Sequence, residues 1–171
     1  LMDSILHPED NFDIIKKTMT ISGAEIVMYY IDGFVKSETL QKLLTYIATV
    51  KDFGSGKKGD AEKFADSHVT AAEVDTTDSI DSIILMVMSG CTAFFCDKFD
   101  ANALVIDLRT YPARNTEEPE NDKVMRGSRD GFVETLISNT AMIRRRIRNP
   151  DFTVKYLNAG YSTRTDIALC Y

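Results

Sequence analysis

The sequence has no tryptophan and only 3 cysteines among 171 residues, and Cys91, Cys96 and Cys170 include no C-x-x-C pair. A structural zinc site needs about four converging nitrogen or sulfur ligands, and a disulfide framework favours an even number of cysteines. The 2 histidines, His7 and His68, stand apart from the cysteines and from each other. We therefore expect reduced, largely buried thiols in a domain that faces the cytosol, and neither a metal nor another cofactor.

Long hydrophobic runs are missing as well. The longest one, residues 83–88, is far shorter than the ~20 apolar residues of a membrane-spanning helix. No targeting signal opens the chain, which begins at Leu1. We therefore expect no membrane span within these residues. The last residues, 166–171, form a strand-like apolar run, and we expect the natural protein to continue beyond Tyr171.

The composition, with 44% hydrophobic and 27% charged residues, is that of a folded domain. A chain of this length hides roughly 70% of the surface that its unfolded form exposes, so a hydrophobic core can form without disulfides or metal. The formal net charge is −6, which disfavours binding to nucleic acid or to anionic lipid. Basic residues are nevertheless concentrated in residues 122–150, where seven basic and three acidic side chains give a local charge of +4.

Strand-like and helical patterns alternate along the chain, which predicts an α/β fold. We expect two small α/β subdomains with mixed sheets flanked by helices: residues 1–66, with a flexible loop at 54–60, and residues 67–171, which contain the unusual segment 109–150. Helices are expected at 9–18, 37–50, 78–89 and 131–148. Strands are expected at 25–31, 68–74, 91–96, 103–108, 152–157 and 167–171. The first strand and the helix after it are interpreted as half of a βαβ unit.

The loop at 54–60 reads G-S-G-K-K-G-D and resembles a phosphate-binding loop at first sight. Such a loop needs Lys-Ser or Lys-Thr directly after its last glycine. Asp60 stands there instead, and its negative charge would repel a phosphate. The segment is therefore interpreted as a solvated loop.

Residues 109–132 have no regular periodicity and lead into a predicted helix. An irregular stretch of about twenty residues inside a compact domain is usually functional or disordered. In a structural interpretation, the arginines of this region pair with nearby acids and Asp130 caps the helix. In a functional interpretation, the arginines and the backbone N–H groups at the helix N-terminus hold an anionic ligand or an acid of a neighbouring subunit. Matching acids within the segment favour the structural interpretation.

The candidate ligand-binding or interface residues carry this charge or lie near the helix N-terminus: Arg114, Glu117, Glu118, Arg126, Gly127, Ser128, Arg129, Asp130, Gly131, Glu134, Arg144 and Arg145. On a helix, the side chains of residues 144–146 point about 100° apart in succession, so these arginines and Arg148 cannot share one face. We expect some of them to pair with acids inside the protein and others to face a partner or the membrane surface. Without interleaved aromatics the run is a weak signal for nucleic acid, and no nucleic-acid partner is expected.

The sequence offers little for catalysis. Ser128 lies in G-S-R-D-G rather than in the G-x-S-x-G of a nucleophile elbow. Neither histidine has a nucleophile nearby in the sequence, and no spacing marks two acids as a catalytic dyad. We therefore expect that the domain is not an enzyme, and a hydrolase is the least favoured hypothesis.

The run E-E-P-E-N-D-K-V-M-R-G-S-R-D-G-F-V-E-T-L-I-S-N-T-A-M-I-R-R-R-I-R-N-P, residues 117–150, resembles the signature of the A subunits of bacterial spore germinant receptors, the GerA/SpoVAF family. Four shorter runs are similar to the same family: Y-Y-I-D-G-F at 29–34, M-S-G-C-T-A-F-F at 88–95, R-T-Y-P-A-R at 109–114 and T-D-I-A-L-C-Y at 165–171. Many receptor A subunits have proline and glutamate where this chain has Ser128 and Asp130. The motifs Y-I-D-G-F at 30–34 and R-G-S-R-D-G-F at 126–132 look nearer to the stage V sporulation protein AF branch than to the nutrient-specific receptors.

The resemblance implies an N-terminal soluble domain on the cytoplasmic side of the spore inner membrane, ahead of a multi-helix membrane region that is absent from this chain. It implies two α/β subdomains, no enzymatic activity, other germination-complex subunits as partners, and a homo-oligomer formed through the full-length protein. Such complexes couple nutrient sensing to ion release at the end of dormancy. The alternative is a small-molecule binding module that takes a nutrient or an anion in a cleft between the subdomains.

Overall fold

The computed structural model describes residues 1–69, 72–109 and 131–171. Its elements, in chain order, are α1 (Met2–Leu6), β1 (Ile14–Ile21), β2 (Ala24–Ile31), α2 (Ser37–Ile47), α3 (Asp60–His68), β3 (Val74–Thr77), α4 (Ile80–Met88), β4 (Thr92–Cys96), β5 (Ala103–Ile106), α5 (Leu136–Arg146), β6 (Val154–Ala159) and β7 (Thr165–Cys170). Helices and strands are interspersed along the chain, and the predicted α/β class is confirmed.

The strands form two separate sheets. Five of them are hydrogen-bonded in the order β1-β2-β4-β5-β3, and β6 and β7 form a two-stranded sheet. Every pairing between the described strands is antiparallel, so the expectation of mixed sheets was wrong. The βαβ interpretation was also wrong, because β2 pairs antiparallel with β4. We call α1–α4 together with β1–β5 the body, and β6–β7 the C-terminal hairpin.

The expected boundary between residues 66 and 67 does not separate the two sheets. The five-stranded sheet takes β1 and β2 from the first part of the chain and β3, β4 and β5 from the second part. The chain leaves the sheet after β2, forms α2 and α3, and then returns to pair β3 and β4 with strands already in place. Residues on both sides of the expected boundary therefore belong to the same sheet.

The segment 9–18, predicted as a helix, contains most of the first strand instead. In β1, Lys16, Lys17 and Thr18 are all exposed, and exposed and more buried side chains alternate only from Thr18 to Ile21. Ser22 and Gly23 both adopt positive φ angles, of 50° and 80°, as a tight hairpin turn between β1 and β2 requires. Pairing with β2 along eight residues thus overrides the local helical pattern.

The strand predicted at 68–74 was wrong as well, because residues 60–68 form α3 and the strand β3 begins only at Val74. Ala61, Phe64 and Ala65 recur at helical spacing on the buried face of α3. The other predicted elements are present with shifted ends: β2, α2, α4, β4, β5, α5, β6 and β7. α5 begins at Leu136 with Thr135 as its N-cap residue, and Asp130, the residue expected to cap it, lies outside the described residues.

The body is a sheet between two helical layers. One apolar cluster joins the sheet to α2 and α3 through buried side chains such as Met28, Ile47 and Phe94. The other cluster joins the opposite face to α1, α4 and one residue of α5, through Ile31, Ile83 and others. In the described parts of the chain, neither cluster contains a residue of the C-terminal hairpin. A search of the same residues finds no helix with the length and apolar character needed to cross a membrane.

Candidate functional site

Helix α5 turns small and polar side chains, rather than large apolar ones, toward the protein. Its buried residues are Thr140, Ala141 and Arg144. Several large apolar side chains in and beside this helix lie on the outside, since Phe132, Ile137 and Ile147 are 69%, 40% and 42% exposed.

A glycine turn after β2 explains why the contact face is small. Gly33 has a φ angle of +82°, and a Cβ added to it would lie 2.9 Å from the Cβ of Ala141 and 3.1 Å from Cγ2 of Ile137. The helix and the turn therefore approach each other too closely for a larger side chain at position 33 or at position 141. This close contact holds α5 against the body and directs Arg144 inward.

Arg144 is fully buried and forms an ion pair with Asp13, the residue just before β1. Its Nε donates to Oδ2 of Asp13 at 2.8 Å, and its Nη2 donates to Oδ1 at 2.9 Å. Both side chains are almost inaccessible, with 0% and 1% of their surface exposed. Such a two-bond contact fixes the relative orientation of the guanidinium and the carboxylate as well as their distance.

The remaining N–H groups of Arg144 bind the segment between α5 and β6. Nη1 donates to the carbonyl oxygens of Phe152 at 2.6 Å and Asn149 at 3.4 Å. Nη2 also donates to Oδ1 of Asn11 at 3.1 Å, and the guanidinium carbon lies 4.9 Å from the centre of the Phe152 ring. A guanidinium has five N–H donors, and these contacts give each of its three nitrogens a partner. The buried charge is thus well compensated.

Asn11 joins α1 to the C-terminal hairpin through the same cluster. Besides Arg144, its Oδ1 accepts a hydrogen bond from the backbone N–H of Val154 at 2.9 Å. Its Nδ2 donates to the carbonyl oxygens of Leu6 and His7, both at 3.2 Å. The amide therefore has every hydrogen-bonding group engaged in a buried place, where an unmade bond would be costly.

We call the residues Asn11, Asp13, Arg144, Phe152 and Val154 the Arg144 junction. It brings together the start of β1, the last turn of α5 and the base of the C-terminal hairpin. The backbone strengthens it, because Phe12 donates its N–H to the carbonyl oxygen of Val154 at 3.0 Å. Because these hydrogen bonds are directional, the arrangement is suited to position the three elements relative to one another.

On one face of the C-terminal hairpin, Val154 at the base is buried, and the ring of Tyr156, which is 47% exposed, lies 5.9 Å from that of Phe12. Leu157, Ile167, Leu169 and Tyr171 share the opposite face in the strand register, where they are between 42% and 61% exposed. A contiguous apolar face of this kind is typical of a contact surface. We call these four residues the outer face of the hairpin.

The structure places few of the predicted site residues together. Arg114, Glu117, Glu118, Arg126, Gly127, Ser128, Arg129 and Asp130 lie outside the described residues. Gly131, Glu134 and Arg145 are exposed, and Arg144 is the predicted residue that lies in the junction. The prediction that one arginine of the run pairs with an internal acid is confirmed by the ion pair with Asp13.

Sequence reasoning missed Asn11 and Asp13. For the arginines at 144–148 we expected acids inside the protein without a particular partner, and Asp13 is 131 positions away from Arg144 in the chain. The one signal available was the pair of polar residues around Phe12 directly before an apolar strand, and polar residues at a strand end are ordinarily exposed. Nothing in the sequence links them to α5.

The loop at 54–59 is closed by Asp60 itself. Oδ2 of this residue accepts hydrogen bonds from the backbone N–H groups of Ser55 at 2.7 Å and Lys57 at 3.0 Å. The N–H donated by Ser55, followed by that of Lys57, holds the pKa of the Asp60 carboxyl below its ordinary value of 3.8. A side-chain carboxylate thus occupies donors that a phosphate-binding loop presents to its ligand, in agreement with the interpretation as a solvated loop.

An open groove of about 660 Å³ lies beside the junction, between α1 and β1, and its lining includes Asp3, His7, Asp10, Asn11 and Lys16. Nζ of Lys16 donates to Asp3 at 2.5 Å, and this bond is the main reason that the pKa of Asp3 is lowered. The hydroxyl of Tyr29 also donates to Asp3, at 2.8 Å. Burial, and then this bond, raise the pKa of Tyr29 to about 12. The groove thus already contains one internally paired carboxylate.

The three cysteines are unpaired thiols: Cys91 is buried, and Cys96 and Cys170 are partly buried. Burial raises the pKa of each thiol, which makes the reactive thiolate scarce at neutral pH. Within the described ranges, no group of three or more His, Cys, Asp or Glu side chains converges as metal ligands would.

Comparison with known proteins places this geometry in context. A family model described as Bacillus/Clostridium GerA spore germination protein matches residues 2–171. The stage V sporulation protein AF of Bacillus subtilis (strain 168) is 34% identical over 164 residues, which cover 94% of this chain and 32% of that protein. Spore germination protein KA of the same organism is 31% identical over 146 residues, covering 85% and 26%. The chain spans about a third or less of the length of these relatives.

One solved structure has the same fold. The N-terminal domain of the A subunit of the Bacillus megaterium spore germinant receptor GerK3 is similar at a TM-score of 0.71 and 21% sequence identity. The likeness covers 99% of this chain and 61% of that chain.

Proposed function

Because the chain belongs to the GerA family of spore germination proteins, we propose that it is the cytosolic domain of a spore inner-membrane protein that couples nutrient sensing to ion release. The domain faces the spore core and acts through contacts with other subunits of a germination complex, including further copies of its own full-length protein. It performs no catalytic step. The membrane region that releases ions lies outside these residues.

The observation that carries this proposal is the Arg144 junction. Helix α5, which lies within the segment that resembles the family signature, is tied by one buried guanidinium to β1 on one side and to the C-terminal hairpin on the other. Directional bonds of this kind transmit a change of orientation between elements better than apolar contacts, which tolerate sliding. A displacement of the hairpin would therefore shift the start of β1, at the edge of the five-stranded sheet.

The outer face of the hairpin is the surface we assign to subunit contacts. It exposes Leu157, Ile167 and Leu169 side by side on a sheet of only two strands, and such a sheet is marginally stable in water by itself. The solved homologue is named as the A subunit of a receptor, which supports a partner subunit as the occupant. Contact with a neighbouring subunit would cover the face and stabilise the hairpin.

Spores that carry the full-length protein can test this assignment. We expect the substitution Ile167→Asp to reduce nutrient-triggered ion release while the amount of protein in the membrane stays the same. Thr165→Asp is the matched control, because it adds the same charge on the same face two residues away and removes no apolar side chain. Normal ion release with Ile167→Asp would contradict the subunit-contact role of this face.

The groove beside α1 favours a second candidate function, small-molecule binding. Its volume of about 660 Å³ lies in the range of ligand sites. Lys16 is already paired with Asp3, so the other carboxylates of the lining suit a nutrient with an amino group better than a simple anion. Thermal unfolding of the 171-residue chain with amino acids, sugars and nucleosides tests it. A rise in melting temperature with amino acids that Asp10→Asn abolishes would support the binding module, and no rise with any compound would contradict it.

A further inference from the structure

β1 lies at one edge of the five-stranded sheet and pairs with β2 on one side. On the basis of the proposed function, in which copies of the full-length protein contact each other, we propose that the outer edge of β1 binds the same edge of a second copy. The two sheets then join into one continuous sheet. Among the strands that the structure describes, none other than β2 pairs with β1.

The hairpin turn at residues 22–23 determines which backbone groups of β1 lie on the outer edge. Both turn residues have positive φ angles, and a two-residue turn of this kind is closed by a hydrogen-bonded pair, here Ile21 with Ala24. Hydrogen-bonded and non-hydrogen-bonded pairs alternate along an antiparallel ladder. Every second residue of β1 therefore directs its N–H and C=O away from β2, and these residues are Ile14, Lys16, Thr18 and Thr20.

Hydrogen bonds just before β1 follow the same alternation. The carbonyl oxygen of Asp13 accepts a hydrogen bond from the N–H of Asp32 at 2.8 Å, on the side of β2. The N–H of Phe12 donates to the carbonyl oxygen of Val154 at 3.0 Å, on the outer side. A backbone hydrogen bond across the outer edge is thus already formed at residue 12.

The open groove beside α1 runs along this edge. Its lining includes both Ile14 and Ile15. Successive side chains of a strand point to opposite faces of the sheet, so a space that both isoleucines line lies beside the strand and not over one face. The volume of about 660 Å³ leaves room for the backbone of another chain next to the first residues of β1.

One antiparallel register of two β1 strands suits their polar side chains. Outward-directed residues oppose each other in hydrogen-bonded pairs, and Thr18 can lie opposite the partner's Thr18. Lys16 then lies opposite the partner's Thr20, and residues 15–21 pair along their whole length. The partner's turn at residues 22–23 comes to lie beside Ile14, at the groove.

The apolar side chains of β1 suit the same register. Ile15 lies opposite the partner's Ile21 on one face of the joined sheet, and both positions are half-buried in the single chain. Lys17 lies opposite the partner's Met19 on that face. The contact would therefore cover apolar side chains that are partly exposed in the single chain.

Other registers are less favourable. A shift by one step in one direction places Lys17 opposite the partner's Lys17, where like charges destabilise the pair. A shift in the other direction shortens the pairing to residues 17–21. The edge is thus self-complementary in one register, as a two-fold contact between identical chains requires.

Lysines on an edge strand ordinarily discourage pairing with another chain. Nζ of Lys16, however, donates to the carboxylate of Asp3 at 2.5 Å, so this charge is compensated within the single chain. In the register with Thr18 at the two-fold axis, no lysine of β1 lies opposite a lysine of the partner's β1. The lysines are therefore compatible with this contact.

Disulfide crosslinking of the full-length protein in spore membranes tests the proposal. Thr18→Cys places two thiols across the two-fold axis at a Cα separation of about 5.5 Å, which a disulfide can bridge. With a mild oxidant we expect a species of twice the monomer mass on a non-reducing gel, and a reducing agent should convert it back to the monomer. The side chain of Thr18 is exposed, so we expect the variant to fold as the native protein does.

Thr20→Cys is the matched control. This residue is also exposed and directed outward, but in the proposed register it lies four positions along the strand from the partner's residue 20. The distance of about 13 Å is beyond the reach of a disulfide. The native protein gives the background from its own thiols, which include Cys91, Cys96 and Cys170.

Three results would overturn the proposal. The first is the absence of a dimer with Thr18→Cys above the native background. The second is equal dimer formation with Thr18→Cys and Thr20→Cys, which would indicate random collision. The third is a disulfide between Thr18→Cys and a different protein, which would make that protein the occupant of the edge.

Crosslinking and the measurement of ion release can fail independently. The disulfide reports whether two β1 edges meet, whatever the complex does in germination. Ion release from spores with Ile167→Asp reports the role of the outer face of the hairpin, whether or not the edges meet.

Discussion

The contacts that hold the body together differ in kind from the contacts that attach the C-terminal hairpin to the body. Helices cover the sheet of the body through two clusters of buried apolar side chains. The described contacts of the hairpin with the body are mainly polar ones, at the Arg144 junction and between Lys155 and Asp10, beside one ring contact of Tyr156 with Phe12. Apolar burial is non-directional and accumulates over many contacts. A polar junction depends on a few bonds with defined geometry, so it can fix an orientation.

The body and the hairpin therefore contribute different properties to the domain. The body supplies the stability of the domain, because its stabilising contacts are numerous and no single one is decisive. The hairpin supplies a surface whose orientation depends on five residues. Substitutions in the two regions should therefore differ in how far their effects spread.

The largest effect is expected from Phe94→Ala in the body. Phe94 is fully buried, and its ring lies 6.2 Å from those of Phe64 and Phe99. Removing such a side chain leaves a cavity and lowers the free energy of unfolding by about 3–5 kcal/mol. Urea unfolding followed by circular dichroism measures the loss. Val154→Ala, at the base of the hairpin, is the comparison, and an equal loss there would break the distinction between the regions.

A smaller effect is expected at the contact of α5 with the body. Gly33→Ala places a Cβ 2.9 Å from that of Ala141 at a φ angle of +82°, so it combines backbone strain with overpacking. We expect a loss of about 1–3 kcal/mol in the free energy of unfolding. Gly23→Ala is the control, because Gly23 has a φ angle of +80° and no atom within 4 Å of an added Cβ. If the two variants lose the same amount, α5 is not tightly packed on the turn.

A pH-dependent effect is expected within the body at Asp60. The pKa of this carboxyl is lowered by the N–H groups of Ser55 and Lys57, so ionised Asp60 stabilises the fold above its ordinary pKa of 3.8. This contribution is lost as the pH falls through the lowered folded-state pKa. Asp60→Asn should therefore lower the urea midpoint at pH 7, and this difference from the native chain should shrink as the pH falls below 3.8.

An exposed aspartate of the same helix provides the control for this measurement. Asp66→Asn also removes one carboxyl from α3, but that side chain is exposed. It should change the urea midpoint much less than Asp60→Asn at pH 7. A difference between Asp60→Asn and the native chain that stays constant from pH 7 to pH 3 would show that the ionised carboxylate does not hold the loop.

The smallest effect is expected from a second ion pair that links the hairpin to the body. Nζ of Lys155 lies 3.7 Å from Oδ1 of Asp10, and both side chains are largely exposed, at 44% and 62%. Exposed pairs contribute little because water screens them. Lys155→Met should leave the melting temperature unchanged, whereas Asp13→Asn, which breaks the buried pair with Arg144, should lower it. An equal loss with the two variants would mean that burial is not what distinguishes the two pairs.

Most elements of the fold could be predicted where a local pattern decides the structure. The strand before Gly33, the helix α4 capped by Ser79 and the strands on either side of Phe99 all follow from runs of apolar residues and turn residues. β1 could not be predicted in this way, since its residues also fit a helical pattern. Its pairing with β2, which forms after the chain turns at Ser22 and Gly23, decides its structure.

Of the residues of the Arg144 junction, the sequence indicated Arg144 and none of the others. Successive positions on a helix face different directions, so we expected some side chains of the arginine run to pair with acids inside the protein and others to face a partner or the membrane surface. Arg144 is one that pairs with an internal acid. The acid with which Arg144 pairs depends on how α5 packs against Gly33. Local sequence patterns do not predict this pairing, because it joins two distant parts of the chain.

The sequence by itself determined the α/β class, the position of most helices and strands, the unpaired cysteines and the membership of the GerA family, since these follow from composition, periodicity and motifs along a continuous stretch. The tertiary structure alone decided the antiparallel strand order, the pairing of Arg144 with Asp13 across 131 positions and the exposure of one face of the C-terminal hairpin. The physical reason is that local propensities act over a few residues, whereas burial and ion pairing depend on which distant segments the folded chain brings into contact.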